Sequence, residues 1–378
     1  MQSVRVTLGQ RSVGHDNNLN LIRLLAAFAV LVSHSYVLTT GDRSAEPWQN
    51  VLHTTPGGIA VDIFFVISGF LVTGSLLRSK SLWEFAVARA LRIYPGLWIA
   101  LAVTVIAVGI GFTSESTFQF FHEKQTWKYF FKNALMIAGA EADLPGAFSE
   151  NIAPSVVNGS LWTLRHELRL YALLGLIWLA IGILCRWQND RQVGLLRYIA
   201  VSCAALLVAA CIVIVARGHM PELPKLASMF FSGATYYLLR NRIPLSLPLF
   251  LLASLALLTG MLHSPTAFGV TYFICLPYLA LFLAYRPVNQ RLLSFNRVGD
   301  YSYGIYIYAF PIQQMIMSLN SGLTTEKLIL YATVATGVAA ILSWHFIESP
   351  ALQRKKSVTR ILDGNRFNEV ESSSREIK

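Results

Sequence analysis

Charged residues are scarce in this sequence. Only 13% of its 378 residues are charged and 54% are hydrophobic, whereas a soluble domain usually carries about 25% charged residues. The mean hydropathy is positive, at +0.51. This composition excludes an ordinary soluble protein and predicts an all-α, polytopic membrane protein.

Cysteines and acidic residues are also few. The four cysteines, at positions 185, 203, 211 and 275, lie in apolar segments without metal-ligand spacing, so neither a metal site nor a disulfide framework is expected. Lys and Arg outnumber Asp and Glu by 31 to 20, for a net charge of +11. In a membrane protein such an excess marks cytoplasmic loops, so no nucleic-acid partner is expected.

Several catalytic motifs are missing. There is no glycine-rich phosphate loop, and "VISGF" lacks the first glycine of a nucleophile elbow. A helical zinc pair would need a second histidine four residues after His166, where the chain has Leu170. Any chemistry must therefore come from isolated polar residues within apolar segments.

Ten apolar runs reach spanning length, about 20 residues, one of them only with its flanks. Placing the basic segments in the cytoplasm puts both termini there, provided that the short run 127–139 lies on or dips into the outer face without crossing. We predict a cytoplasmic segment over 1–17, a transmembrane domain over 18–350 and a disordered cytoplasmic tail over 351–378. The ten runs are 19–38, 57–77, 95–112, 159–184, 195–216, 226–239, 245–262, 267–285, 301–319 and 328–346.

The first run, "NLIRLLAAFAVLVSHSYVL", contains two residues that hydrocarbon solvates poorly, Arg23 and His34. An arginine at the centre of a span costs about 2.5–3.5 kcal/mol on insertion scales. Eleven residues of helix place both on one face, about 16 Å apart. Each alone could be structural, Arg23 by reaching headgroups and His34 as a hydrogen-bonded bundle residue. Their shared face favours one continuous polar path.

Two carboxylates are expected near the depth of His34, in the outer half. At this depth in the membrane an unpaired carboxylate would be costly, so Asp62 needs a polar or basic partner. It either orients the His34 imidazole or pairs with a basic residue on a neighbouring helix. Glu167 either pairs with Arg165 or Arg169 or acts at the site, where it would bind the acceptor hydroxyl or take the place of Asp62 beside His34.

Arg89 and Arg92 are three residues apart, on one helical face at the cytoplasmic level of Arg23. Two guanidiniums can bind a phosphate bidentately, although headgroup binding and topology would also explain them. A ligand with a phosphorylated head and a narrow inward arm would fit both levels. Acyl-coenzyme A has that shape.

In their order, these motifs resemble the acyltransferase 3 family of integral membrane O-acyltransferases, which modify bacterial surface glycans. Arg23 and His34 match its arginine–ten residues–histidine motif, and Arg89 and Arg92 match its arginine pair. The segments "GGIAVDIFFVISGFL", "LWTLRHELRLY", "VGDYSYGIYIYAFPIQQ" and "FIESP" resemble further signatures. The chain departs from the family at Ala309, where members often carry histidine, and shows no extra hydrolase-like domain.

The resemblance implies ten helices in the bacterial cytoplasmic membrane, an acyl-coenzyme A co-substrate, usually acetyl-coenzyme A, and no permanently bound cofactor. It also implies a saccharide acceptor, membrane lipids and polysaccharide assembly proteins as partners. We therefore expect an O-acetyltransferase. The alternatives are a transporter or flippase, because intramembrane charges also mark substrate paths, and a non-enzymatic subunit of an assembly complex. The residues expected to carry the activity are, as catalytic groups, His34, Asp62 and Glu167 and, as coenzyme contacts, Arg23, Arg89 and Arg92.

Overall fold

A computed structural model describes residues 6–14, 16–136, 139–153, 156–186, 188–216, 221–286 and 298–355 of the chain. Within these ranges the regular structure is helical, and the only β pairing is two isolated bridges. The prediction of an all-α protein is confirmed. The predicted tail lies outside the described residues from position 356 onward.

Each of the ten predicted runs lies mostly within one helix. Seven helices in the described ranges are long and apolar enough to cross a membrane, which confirms a multi-pass membrane protein. The total of ten spans and the cytoplasmic termini stay predictions. The helices are α1 (Leu8–Arg11), α2 (Leu19–Thr40), α3 (Gln49–Leu52), α4 (Pro56–Arg78), α5 (Leu82–Gly111), α6 (Thr117–His122), α7 (Lys124–Leu135), α8 (Leu161–Leu184), α9 (Asn189–Ala216), α10 (Glu222–Leu238), α11 (Leu247–His263), α12 (Pro265–Tyr285), α13 (Ser302–Leu319), α14 (Thr325–Ser343) and α15 (Ser349–Gln353).

Helix α5 begins thirteen residues before the predicted run, at Leu82 rather than Pro95. The Ser81 side chain caps its first turn by accepting a hydrogen bond from the Glu84 N–H. Pro95 lies within the helix and does not end it. Arg89 and Arg92 therefore lie on one continuous helix, which begins before the predicted run.

Helices α4 and α10 pack with their backbones almost in contact. A Cβ added at Gly69 would lie 1.9 Å from the carbonyl oxygen of Phe230, and one added at Gly233 would lie 2.0 Å from that of Val66. Small residues allow such close approach between membrane helices. On its other side α4 packs against α2, which also contacts α13.

The short run 127–139 does not connect opposite ends of the bundle. The N–H of Ser114 donates to the Gly146 carbonyl, and the N–H of Phe148 donates to the Phe112 carbonyl, both at 3.0 Å. The chain between Phe112 and Phe148 therefore leaves the end of α5 and returns to the same end. Between these points the Trp98 indole donates to the Ala134 carbonyl at 3.1 Å, about 21 Å along α5 from Phe112. Helix α7 therefore dips along α5 and returns.

Candidate active site

A cavity of about 450 Å³ runs along α4. Its lining residues on that helix recur every three or four positions, so they form one face over about 21 Å from position 64 to position 78. Phe64, Ile67 and Leu71 make the first part of this wall apolar, and Ser75 and Arg78 make the last part polar. The cavity can therefore hold a ligand with a charged head and an apolar arm.

The three arginines predicted to contact the coenzyme all line this cavity. Arg23 comes from α2, and Arg89 and Arg92 come from α5. Two further basic residues line it that were not among the predicted coenzyme contacts, Arg78 at the end of α4 and Lys355 after α15. Five cations around one cavity favour a ligand with several negative charges.

Asp300 holds two of these arginines. Its Oδ2 accepts from Nη1 of Arg23 and from Nη2 of Arg92, and Ser302 Oγ donates to its Oδ1. Burial opposes ionisation of the Asp300 carboxyl, but the two guanidiniums outweigh it and lower its pKa. We call Asp300 with Arg23 and Arg92 the Asp300 clasp.

Sequence reasoning missed Asp300, although it stands in the segment "VGDYSYGIYIY". The signal was the need for a counterion, because arginines within a membrane pair with other polar groups. Nothing local identifies the partner, since Asp300 is 277 residues from Arg23 and 208 from Arg92.

Glu167 lines the same cavity, which corrects its predicted place beside His34. Its Oε1 accepts from Ser68 Oγ at 2.9 Å and from the Tyr171 hydroxyl, and the two hydroxyl oxygens are 2.7 Å apart. Counting residues from the end of a run misjudged the depth, because helix ends do not share one level. The contact with Ser68, midway along α4, places Glu167 on the cavity wall.

The ion pair considered for Glu167 does not form in the described part of the chain. Neither Arg165 nor Arg169 comes within salt-bridge distance of its carboxylate. Arg89 lies beside Tyr171, with its guanidinium carbon 6.0 Å from the centroid of the Tyr171 ring. Glu167 is therefore held by two hydroxyl groups of the protein itself, and its binding of an acceptor hydroxyl stays a prediction.

His34 lies outside the cavity lining. Its ring packs edge-on against Phe310, with centroids 4.9 Å apart. Its Nδ1 is buried and has no hydrogen-bond partner among the described residues. Ala26 and Val30 lie between Arg23 and His34 on α2 and pack against α4, so small side chains separate the two ends of the predicted path.

Asp62 pairs with Lys225 and Tyr272, and the described residues include no hydrogen bond between it and His34. Its Oδ2 accepts from Lys225 Nζ at 3.1 Å and from the Tyr272 hydroxyl at 2.6 Å. This corrects the expectation that Asp62 orients the imidazole. Lys225 supplies the positive charge that a fully buried carboxylate requires, so the basic partner on a neighbouring helix is the interpretation that holds.

The described residues contain no group of three or more His, Cys, Asp and Glu side chains placed to hold a metal ion. What the fold and the site define is a multi-pass membrane protein with a basic cavity between its helices. The cavity carries a hydroxyl-bound carboxylate on its wall.

Comparison with known proteins shows which family within this class the chain resembles. A family model described as an acyltransferase domain matches residues 16–348. The chain is 30% identical over 346 residues to an O-acetyl transferase of Shigella phage Sf6, covering 90% of this chain and 97% of that protein. It is also 30% identical over 372 residues to Nodulation protein 10 of Rhizobium leguminosarum bv. viciae, covering 92% and 96%.

A third relative is Exopolysaccharide production protein ExoZ of Rhizobium meliloti (strain 1021), 27% identical over 323 residues, with 81% of this chain and 92% of that protein covered. No solved structure gives a significant match. The chain belongs to the acyltransferase 3 family. It is an enzyme, an acyltransferase of the O-acetyltransferase type.

Proposed function

We propose that the protein transfers an acyl group, most simply acetyl, from cytoplasmic acyl-coenzyme A to a hydroxyl of a surface or exported saccharide. The observation that carries this proposal is the cavity along α4, which five basic side chains line together with the apolar side chains of Phe64, Ile67 and Leu71. Guanidiniums suit phosphate groups. The saccharide acceptor follows from what the relatives are named for, exopolysaccharide production and O-acetyl transfer.

The donor would enter at the Arg78 end of α4. Its phosphates would lie among the basic side chains, and its arm would follow Leu71 and Ile67 towards Phe64. Glu167 has one carboxylate oxygen bound by Ser68 and Tyr171, and the other is available to accept from an amide N–H of the arm. In this proposal the protein lies in the bacterial inner membrane, and both chain termini face the cytoplasm.

His34 would act at the far end of this path. The neutral imidazole takes the proton from the acceptor hydroxyl while the oxygen of that hydroxyl attacks the carbonyl carbon of the thioester. The carbon–sulfur bond breaks, and coenzyme A leaves as its thiolate. Nδ1 of His34 has no hydrogen-bond partner among the described residues, which leaves it available for such a proton. An acyl-histidine intermediate would use the same residue as nucleophile.

The test is acetylation of the surface polysaccharide, measured by mass in cells that carry wild-type protein, His34→Ala or no protein. His34→Ala should abolish the acetyl mass while the protein still accumulates in the membrane. His263→Ala, at the exposed end of α11, is the matched control and should retain it. Full acetylation by His34→Ala would refute the role given to His34.

A second assay, on purified protein, separates an enzyme from a transporter, and the His34→Ala result in cells separates it from an assembly subunit. Purified protein should consume acetyl-coenzyme A only when the saccharide is present, and a transporter should not consume it at all. A non-enzymatic subunit would support acetylation with His34 replaced, provided that the protein accumulates.

A further inference from the structure

Lys355 pairs with Glu84 at 3.3 Å, and the four arginines that line the cavity fall into two sets. Arg23 and Arg92 share the carboxylate of Asp300. Arg78 and Arg89 have no carboxylate within salt-bridge distance among the described residues. The sequence motif that pairs Arg89 with Arg92 therefore groups a guanidinium without a counterion with one that has its counterion in place.

The contacts of Arg78 and Arg89 are polar but neutral. Arg78 Nη1 donates to the Tyr237 hydroxyl at 3.2 Å, and Arg89 Nη2 donates to Ser75 Oγ at 3.4 Å. Arg89 Nε is buried and has no partner among the described residues. A guanidinium has five N–H donors, so most of those on Arg78 and Arg89 remain available to a ligand.

Both side chains belong to the same end of the cavity. Ser75 and Arg78 are three residues apart and share the face of α4 that lines it. Arg89 reaches that face from α5 through its contact with Ser75. Arg78 is solvent-exposed and Arg89 is partly buried, so together they extend from the opening of the cavity into it.

We propose that Arg78 and Arg89 form the anion subsite that takes the phosphates of the donor, and that the Asp300 clasp forms the wall beside it. This inference rests on the proposed function and deepens it, since it assigns phosphate recognition to Arg78 in place of Arg92. A guanidinium without a counterion gains its first ionic partner when phosphate binds. Arg23 and Arg92 would have to share theirs with the ligand, or break a buried ion pair.

The experiment compares two thioesters on the full-length protein in detergent or nanodiscs. Acetyl-coenzyme A carries the phosphates, and S-acetyl-N-acetylcysteamine carries none. Arg78→Gln should weaken coenzyme A binding about 10- to 100-fold, the usual effect of removing a charged hydrogen bond. The KM for the phosphate-free thioester should stay the same.

Arg240→Gln is the matched control. Arg240 stacks on the same tyrosine, with its guanidinium carbon 4.2 Å from the Tyr237 ring centroid, and it is not among the residues that line the cavity. This substitution removes one positive charge at the end of a neighbouring helix and should leave both thioesters unaffected. Arg89→Gln is the second variant, and it should show the same selective loss as Arg78→Gln.

The outcomes distinguish the two proposals. If wild-type protein binds coenzyme A and Arg78→Gln binds it within about twofold as tightly, the subsite is wrong and the proposed function stands. Equal losses for both thioesters would also overturn the subsite, because they would show a general defect. If wild-type protein binds no coenzyme A, the proposed donor is wrong and this inference falls with it.

Discussion

Replacing Asp300 by asparagine tests whether the Asp300 clasp holds the cavity in shape. The side chains of Arg23, Arg92 and Asp300 are 20%, 17% and 10% exposed, so this is a largely buried pair. Removing one partner of a buried ion pair costs about 3–5 kcal/mol. Because asparagine still accepts a hydrogen bond, we expect the lower end, about 3 kcal/mol off the free energy of unfolding.

The expected loss extends to donor binding, because two uncompensated guanidiniums repel each other and turn away from the cavity wall. The measurements are chemical or thermal unfolding of the purified protein in detergent and the KM for acetyl-coenzyme A. We expect Asp300→Asn to lower stability and to raise that KM by about tenfold, because a displaced wall would disturb the neighbouring Arg78–Arg89 subsite by the equivalent of about one charged hydrogen bond to the donor.

Glu141→Gln is the control for this prediction, because Glu141 also bridges two cations, Lys128 and Lys132. Those lysines are 55% and 30% exposed, so the loss should be about 0–1 kcal/mol, with no change in the KM. If Asp300→Asn lies within about 0.5 kcal/mol of wild type and keeps its KM, the reasoning about the clasp is refuted.

Two further predictions concern the loop after α2 and the contact between α4 and α10. Burial raises the pKa of the Glu46 carboxyl, so wild-type stability should fall as pH rises from the unfolded to the folded pKa. The melting temperature of Glu46→Gln, scanned from about pH 4 to 8, should then exceed that of wild type only at the higher pH; an equal difference throughout would contradict this. Gly69→Ala should lower the free energy of unfolding by about 1–3 kcal/mol through overpacking, because the added Cβ would clash with the Phe230 carbonyl. Gly337→Ala, with no heavy atom within 4 Å, should be nearly neutral in the same unfolding measurement, and equal effects would contradict the close packing.

The arginines show how far the sequence pattern reached. The spacing of Arg89 and Arg92 predicted a shared helical face, and both line the cavity together with Arg23. The pattern did not reveal that two of these three arginines, Arg23 and Arg92, form ion pairs with Asp300. Helical periodicity relates positions within a few turns, whereas a counterion can come from any helix that packs nearby.

The carboxylates show the same limit, because sequence position did not identify their partners either. Sequence depth placed Asp62 and Glu167 with His34, yet each has partners on other helices, Asp62 with Lys225 and Glu167 with Ser68. Depth counted along a run carries no information on rotation, tilt or the level at which a neighbouring helix begins. The sequence correctly predicted that the buried Asp62 carboxylate has a partner. It did not identify which residue that partner is.

The sequence by itself determined that this chain is helical and membrane-embedded, and which residues would be poorly solvated there. Those properties depend on composition and on periodicity within a single helix. Only the tertiary structure decided which polar groups meet, as when Arg23 reaches Asp300 across 277 residues and Asp62 reaches Tyr272 across 210. The physical reason is that desolvation makes every buried charge need a partner, and helix packing selects that partner from distant parts of the chain.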